Sequence, residues 1–246
     1  MPNTFIKNTI DILVQSTTKN RKTGNIPTII VGQNQNQVVS SCIQSGCKLL
    51  HKKLGGSGEY EDLGLKPCYA HNSSVSWGTK SIFRAIEKGT RTIEDYSLSE
   101  GFRMSARTAK FFRASSIGDM SSLSPQRVKE VIKEGIKYGL KPLGYTADKT
   151  ATHLKEHLLL SCPTMEETDA AVNNGWRATT IFQTWDGKKT FTTPSGHKGI
   201  VCPEQTQARS RKEITPRNKI TCNDCGLCSQ GNQHTTKYKV IGFITH

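Results

Sequence analysis

Three cysteines stand at a strict spacing near the end of this chain, Cys222-Asn-Asp-Cys225-Gly-Leu-Cys228, with Cys202-Pro203 upstream. Thiols at C-x2-C-x2-C spacing converge on one point when the backbone turns round them, and a fold that keeps them must accommodate that convergence. A chain of 246 residues buries a core without covalent staples, so its 8 cysteines are not needed to hold up a small scaffold. Met1 to Ser16 contains Lys7 and Asp11 and no apolar run, so no secretion signal is expected. No stretch approaches the ~18 apolar residues of a membrane span. The expected setting is a reducing cytoplasm, where clustered cysteines mean metal before disulfide.

The C-terminal spacing is similar to that of iron–sulfur ligation in bacterial ferredoxins, in which a fourth Cys followed by Pro completes the set. Here the Cys-Pro precedes the trio, so the order is permuted. Cys202, Cys222, Cys225 and Cys228 are the expected ligands of a [4Fe–4S] cluster, with zinc as the alternative occupant. A second group lies earlier, Cys42-x4-Cys47 and Cys68, in a segment read as a long irregular loop with Gly46, Gly55, Gly56, Gly58 and Gly64. Three thiolates leave one iron of a cube without a protein ligand, and an open iron is free to bind a substrate or cofactor.

Between and beyond these groups the pattern alternates strand and helix. Thr28–Val31, Phe111–Ile117, Pro142–Thr146, His157–Cys162, Arg177–Phe182, Lys198–Cys202 and Tyr238–Phe243 read as strands. Thr79–Gly89 reads as a helix with Ile82, Phe83 and Ile86 on one face. Ser124-Pro125 opens another, with Val128, Val131, Ile132 and Ile136 apolar and a stop at Gly139. Thr164-Met-Glu-Glu167 is a capping box for a third, reaching Asn173. Gln33–Gln37 reads as a polar loop and Trp185-Asp-Gly-Lys188 as a hairpin turn. The alternation predicts an α/β fold with mainly parallel strands, as a TIM-like or partial (β/α) barrel. The expected organisation is a barrel-like domain over 1–200, carrying the cysteine loop at 40–70, and a cluster-binding segment over 201–246 packed on it.

Two resemblances extend this reading. Pro67-Cys68-Tyr69-Ala70 is similar to the end of the cluster motif in some radical S-adenosylmethionine (SAM) enzymes, among them the spore photoproduct lyase group. Gly118-Asp119, after the Phe111 strand, sits where those enzymes carry the turn that reads the amino group of SAM. This resemblance implies that Cys42, Cys47 and Cys68 hold the cube, that SAM takes its fourth iron, and that Asp119 accepts from the SAM ammonium. Tyr69 and Tyr145 would line the cofactor site and Arg113 would act beside Asp119. Over roughly residues 40 to 246 the chain also resembles a family of phage-encoded iron–sulfur proteins of largely unknown function. The shared features are Cys68-Tyr-Ala70, Arg113 to Asp119, Tyr145-Thr146, Cys202-Pro203, Cys222 to Cys228 and Phe243-Ile-Thr-His246. That likeness implies a place in the host cell cytoplasm.

The remaining signals are broader. The 34 Lys and Arg against 20 Asp and Glu give a net charge of +14, which favours nucleic acid or phosphorylated ligands as partners. A cluster protein also implies an electron donor. Non-catalytic electron transfer and nucleic-acid binding around a structural metal are the competing functions. Arg113 and Asp119 are expected at one strand end, where an ion pair is their plainer role. Cys162-Pro163 ends a strand, as a fourth ligand of the N-terminal group or as a small buried hydrophobe. His71 is a further candidate ligand. Arg209 to Lys219, inside the Cys202–Cys222 loop, would offset cluster charge or lie in solvent.

Overall fold

A computed structural model of the chain describes residues 10–16, 23–57, 59, 68, 74–210, 219–230 and 237–244. The described strands form two mainly parallel sheets. The first has the order β1 (Ile12–Gln15), β2 (Thr28–Val31), β3 (Phe111–Ile117), β4 (Lys141–Leu143), with β1 antiparallel at its edge. The second has the order β5 (Tyr145–Thr146), β6 (Leu159–Ser161), β7 (Ala178–Phe182), β10 (Val240–Ile244), β9 (Lys198–Val201), β8 (Thr190–Thr192), with β8 antiparallel. Only Gly144 separates β4 from β5, and its carbonyl accepts from Leu159 N–H at 3.1 Å. The chain thus steps there from the side of β3 to the side of β6 and joins the two sheets.

Residue alternation along the strands sends side chains to opposite faces. On one face Phe112, Ala114, Leu158, Leu160 and Ala178 pack against three helices. These contribute Phe102 of α3 (Leu98–Ser105), Val128, Val131 and Ile132 of α4 (Pro125–Lys137) and Ala171 of α5 (Met165–Asn173). Phe102 and Phe112 are fully buried with ring centroids 4.8 Å apart. Each such ring contributes roughly 1.5–3 kcal/mol through burial. On the other face Leu13, Ile30 and Ile117 meet Val38 of α1 (Gln35–Gln44) and Ile82 and Phe83 of α2 (Ser74–Glu87). Farther along, Leu159 and Ile241 meet Leu227. Two short helices complete the elements, α6 (Pro203–Ser210) and α7 (Cys222–Cys225).

Most expected elements form where their caps and periods put them. Ser124 Oγ accepts from Arg127 N–H at 3.2 Å and Thr164 Oγ1 from Glu167 N–H at 3.2 Å, starting α4 and α5. Several details differ. The Gln33–Gln37 run is not a loop: Asn34 Oδ1 accepts from Gln37 N–H at 3.0 Å and starts α1, which carries Cys42. Ile136 is 61% exposed instead of facing the core. Trp185–Lys188 is a turn, with Trp185 Nε1–H donating to the Lys188 carbonyl at 2.7 Å, but its flanking strands do not pair. The hairpin is one element later, between β8 and β9. No closed sheet is found among the described residues, because antiparallel β1 and β8 end the two sheets. Residues 201–246 supply both the cysteine turn and β10, which lies between β7 and β9.

Candidate metal centres

The first cysteine group sits beyond the carboxyl ends of β2 and β3. After β2 the chain enters α1, which buries Cys42 on the face turned toward the sheet. Cys47 N–H donates to the Cys42 carbonyl at 3.1 Å, closing the turn that ends the helix. Cys68 N–H donates to the Leu49 carbonyl at 2.7 Å, laying the third cysteine beside that turn. Burial pushes the Cys42 thiol far up, and Cys47, Cys68 and Asp119 push it further, while the Gly118 N–H works the other way. Cys47 rises to about 12, first through burial and then through Cys68.

Asp119 faces this group. Gly118 has φ 81, and a Cβ there would lie 2.4 Å from the Val31 carbonyl oxygen and 2.7 Å from Ser41 Oγ, so the turn after β3 requires glycine. The Asp119 N–H donates to Ser41 Oγ at 3.1 Å. Its Oδ1 accepts from Ser121 N–H at 2.9 Å and Thr146 Oγ1–H at 2.8 Å, and its Oδ2 from Ala147 N–H at 2.8 Å. Burial raises its pKa against those bonds. One side of the cysteine turn is anchored by Lys48, whose Nζ donates to Glu167 of α5 at 2.9 Å and to Glu59 at 3.0 Å.

The second group gathers over the face of the second sheet opposite the helix-covered core, with Cys225 and Cys228 packed against Leu159, Leu227 and Ile241. Cys202 ends β9, its N–H donating to the Gly242 carbonyl at 2.8 Å. Thr221 and Asp224 form a capping box that winds Cys222–Cys225 into one helical turn, and Gly226 ends it at φ 61. Asn223 docks this turn below β3: its N–H donates to the Thr23 carbonyl at 3.2 Å and its Oδ1 accepts from Lys110 N–H at 2.8 Å. Cys228 then meets the Tyr145 hydroxyl at 3.5 Å, and Tyr145 packs edge-on against Phe243 with centroids 5.5 Å apart. Burial raises Cys222 to about 11, with Cys202 and Cys225 adding and Arg113 opposing. Burial also raises Cys228, with Cys202, Cys222 and Cys225 adding. The Cys225 thiol is likewise raised, by burial and by Cys202.

Arg177, only 6% exposed, locks this turn from the start of β7. Its Nη1 donates to the Ser229 carbonyl at 3.1 Å and its Nη2 to the carbonyls of Leu227 at 2.9 Å and Tyr238 at 3.4 Å. Its Nε is buried with no hydrogen-bond partner. Among the described residues no carboxylate pairs with it, and burial lowers its pKa while Cys228 raises it. Sequence reasoning did not find Arg177, since a lone Arg before a strand carries no signal of its own.

Arg113 and Tyr145 are placed otherwise than the sequence suggested, while Cys162 takes the second of its two expected places, that of a small buried hydrophobe. Arg113 is near the start of β3 and Asp119 beyond its end, so they do not share a strand end. Arg113 and Tyr145 both influence the second group, because Tyr145 points to the face opposite Thr146, which reaches Asp119. Cys162 is buried in the helix-covered core with Trp176 and Ala178, and its neighbours are Glu167 and Thr168. Tyr69, His71, His246 and residues 211–218 lie outside the described residues.

None of the eight cysteines is joined in a disulfide. Among the described residues no three His, Cys, Asp or Glu side chains form a ready-made shell for a metal ion. No described helix is long and apolar enough to cross a membrane. Comparison of the chain with protein-family models, curated proteins and solved structures finds no match.

Proposed function

We propose that the chain is an iron–sulfur protein on an open, partial-barrel α/β scaffold, with a closed four-cysteine cluster and an open three-cysteine cluster that binds SAM. The observation that carries this reading is that the backbone lays Cys47 and Cys68 beside the end of the helix that carries Cys42, and packs Cys225 and Cys228 of the C-terminal turn on one sheet face, near enough for the cysteines within each group to act on one another electrostatically. Burial disfavours the thiolates of Cys42, Cys47, Cys222, Cys225 and Cys228, and thiolates so placed need a bound cation to persist. The quartet fits a cluster by charge, because four thiolates stay net negative round a cube or a zinc ion. Arg177, buried without a carboxylate, and Arg113 beside Cys222 supply compensating charge.

Cys202, Cys222, Cys225 and Cys228 would hold the closed cluster. Cys42, Cys47 and Cys68 would hold the open one, and the core position of Cys162 supports leaving its fourth position to an exogenous ligand. When bound, the reduced open cluster would supply an electron to SAM and so initiate radical chemistry. Asp119 would hold the SAM ammonium through Oδ2, which accepts only one described hydrogen bond, while Thr146, Ser121 and Ala147 keep the carboxylate in place. Arg113 and Tyr145 would act on the closed cluster instead, Tyr145 by donating its hydroxyl to the Cys228 sulfur. A separate electron donor would serve the reduced state.

Anaerobic reconstitution tests the reading. Iron and sulfide should load together, and Cys68→Ala and Cys225→Ala should each lose roughly half of the iron. With reductant, the wild type should convert SAM to methionine and 5′-deoxyadenosine, and Cys68→Ala should not. Loading of zinc alone would sink the cluster reading. Two loaded clusters without SAM cleavage would leave a non-catalytic electron-transfer protein.

A further inference from the structure

Helix α2 carries a feature that the cysteine chemistry does not use. Its inner face is buried, with Thr79, Ile82 and Phe83 at 3%, 7% and 5% exposure. Trp77, on the outer face, is 78% exposed, although tryptophan is among the side chains that folding covers most. Lys80, Arg84 and Lys88 are all exposed and recur at helical spacing from Trp77. At 100° per residue these four fall within about 80° of one another round the helix axis. The three cations extend over about 12 Å of axis. Among the described residues no carboxylate pairs with Lys80, Arg84 or Lys88; Glu87 lies at the margin of the stripe, and Arg91 beyond it is held by Asp95 at 4.0 Å.

An exposed indole at the head of a basic stripe has the two parts of a single-strand binding surface: a flat platform for an unpaired base and cations for the phosphates that follow. We propose that the outer face of α2 binds single-stranded nucleic acid, with a base stacked on Trp77 and the backbone running along Lys80, Arg84 and Lys88. The net charge of +14 provides the long-range attraction that steers a polyanion to the protein. An unpaired strand suits the surface better than a duplex, whose bases are stacked inside the helix and closed to an indole. The inner face of the same helix shares a hydrophobic cluster with Cys68, so a bound strand would lie one helix diameter, about 10 Å, from the cysteine trio. The proposal goes beyond the cluster reading and needs no metal.

The test uses the full chain and a fluorescein-labelled oligothymidylate of about 20 nucleotides, followed by fluorescence anisotropy. Trp77→Ala is expected to weaken binding about 5- to 150-fold and Trp77→Phe to keep most of the affinity. Changing Lys80, Arg84 and Lys88 together to Gln should reduce the slope of log affinity against log salt by about 2, at about 0.7 per phosphate contact. All these side chains are exposed, and matching thermal unfolding would verify that the variants fold. Trp77→Ala should take up the same metal as the wild type, which separates this proposal from failure of the cluster reading. The proposal is overturned if Trp77→Ala and the triple variant bind like wild type. Equal competition by duplex DNA, or capture by phosphatidylglycerol vesicles without oligonucleotide binding, also overturns it.

Discussion

Arg177 joins structure to charge at a single side chain. Its guanidinium closes the cysteine turn through the carbonyls of Leu227 and Ser229. Replacing it with Leu leaves those buried acceptors short of a donor, at about 1–3 kcal/mol each. Arg177→Leu is therefore expected to lower stability in urea denaturation and to reduce the metal held by the quartet while sparing the trio. Gly118 plays a steric part: Gly118→Ala puts a Cβ against the Val31 carbonyl and forces a left-handed φ on a residue with a side chain, costing about 1–2 kcal/mol before the clash is counted. The thermal unfolding temperature should fall, and with it the iron taken up by the proposed three-cysteine cluster. His157 gives a pH effect of defined sign. Burial lowers its pKa from 6.5, so on acidification the unfolded chain takes up the proton first. Its contribution to stability is complete above about pH 6.5 and is lost as pH falls toward the depressed value. Between pH 5.5 and 7.5 the wild type should gain more stability than His157→Gln; equal gains would remove this assignment.

At the scale of elements, β5 shows how two residues serve two sites. Successive side chains of a strand point to opposite faces, so Tyr145 reaches Cys228 and Thr146 reaches Asp119. Thr146→Val should cost about 1–3 kcal/mol through the Asp119 bond and lower the metal content of the trio alone. Tyr145→Phe should alter only the quartet, read as a change in its absorption or reduction potential. A strand over Pro142–Thr146 was legible before the structure, but its division between two sheets and the opposite faces of Tyr145 and Thr146 were not, since β4 and β5 pair with different neighbours on either side of Gly144. Capped helices were legible for the opposite reason. Ser124 and Thr164 satisfy orphan N–H groups locally, needing nothing distant to fix where α4 and α5 begin. Asn34 does the same for α1, and the glutamine- and asparagine-rich run around it hid that signal.

At the scale of the molecule the two cysteine groups lie on different sheets, and the quartet is tied to the centre of one. The turn from Cys222 to Ser229 precedes β10, which lies between β7 and β9, and Arg177 fastens it to the start of β7. Loosening the turn should therefore reach the sheet interior. In metal-loaded protein, Cys225→Ala is expected to speed amide exchange over Val240–Ile244 by about tenfold or more and to leave Thr28–Val31 unchanged. The sequence alone determined that the fold is α/β with mainly parallel strands, and where most strands and the helices α2, α4 and α5 lie. Those properties depend on hydrophobic period, caps and short spacings, all of which act within a few residues. The tertiary structure decided the rest. It brought Cys68 beside Cys47, drew Cys202 to the C-terminal turn, withdrew Cys162 into the core and parted Arg113 from Asp119. It also set Arg177 against the quartet, because burial and charge compensation depend on which distant segments share one face of a sheet.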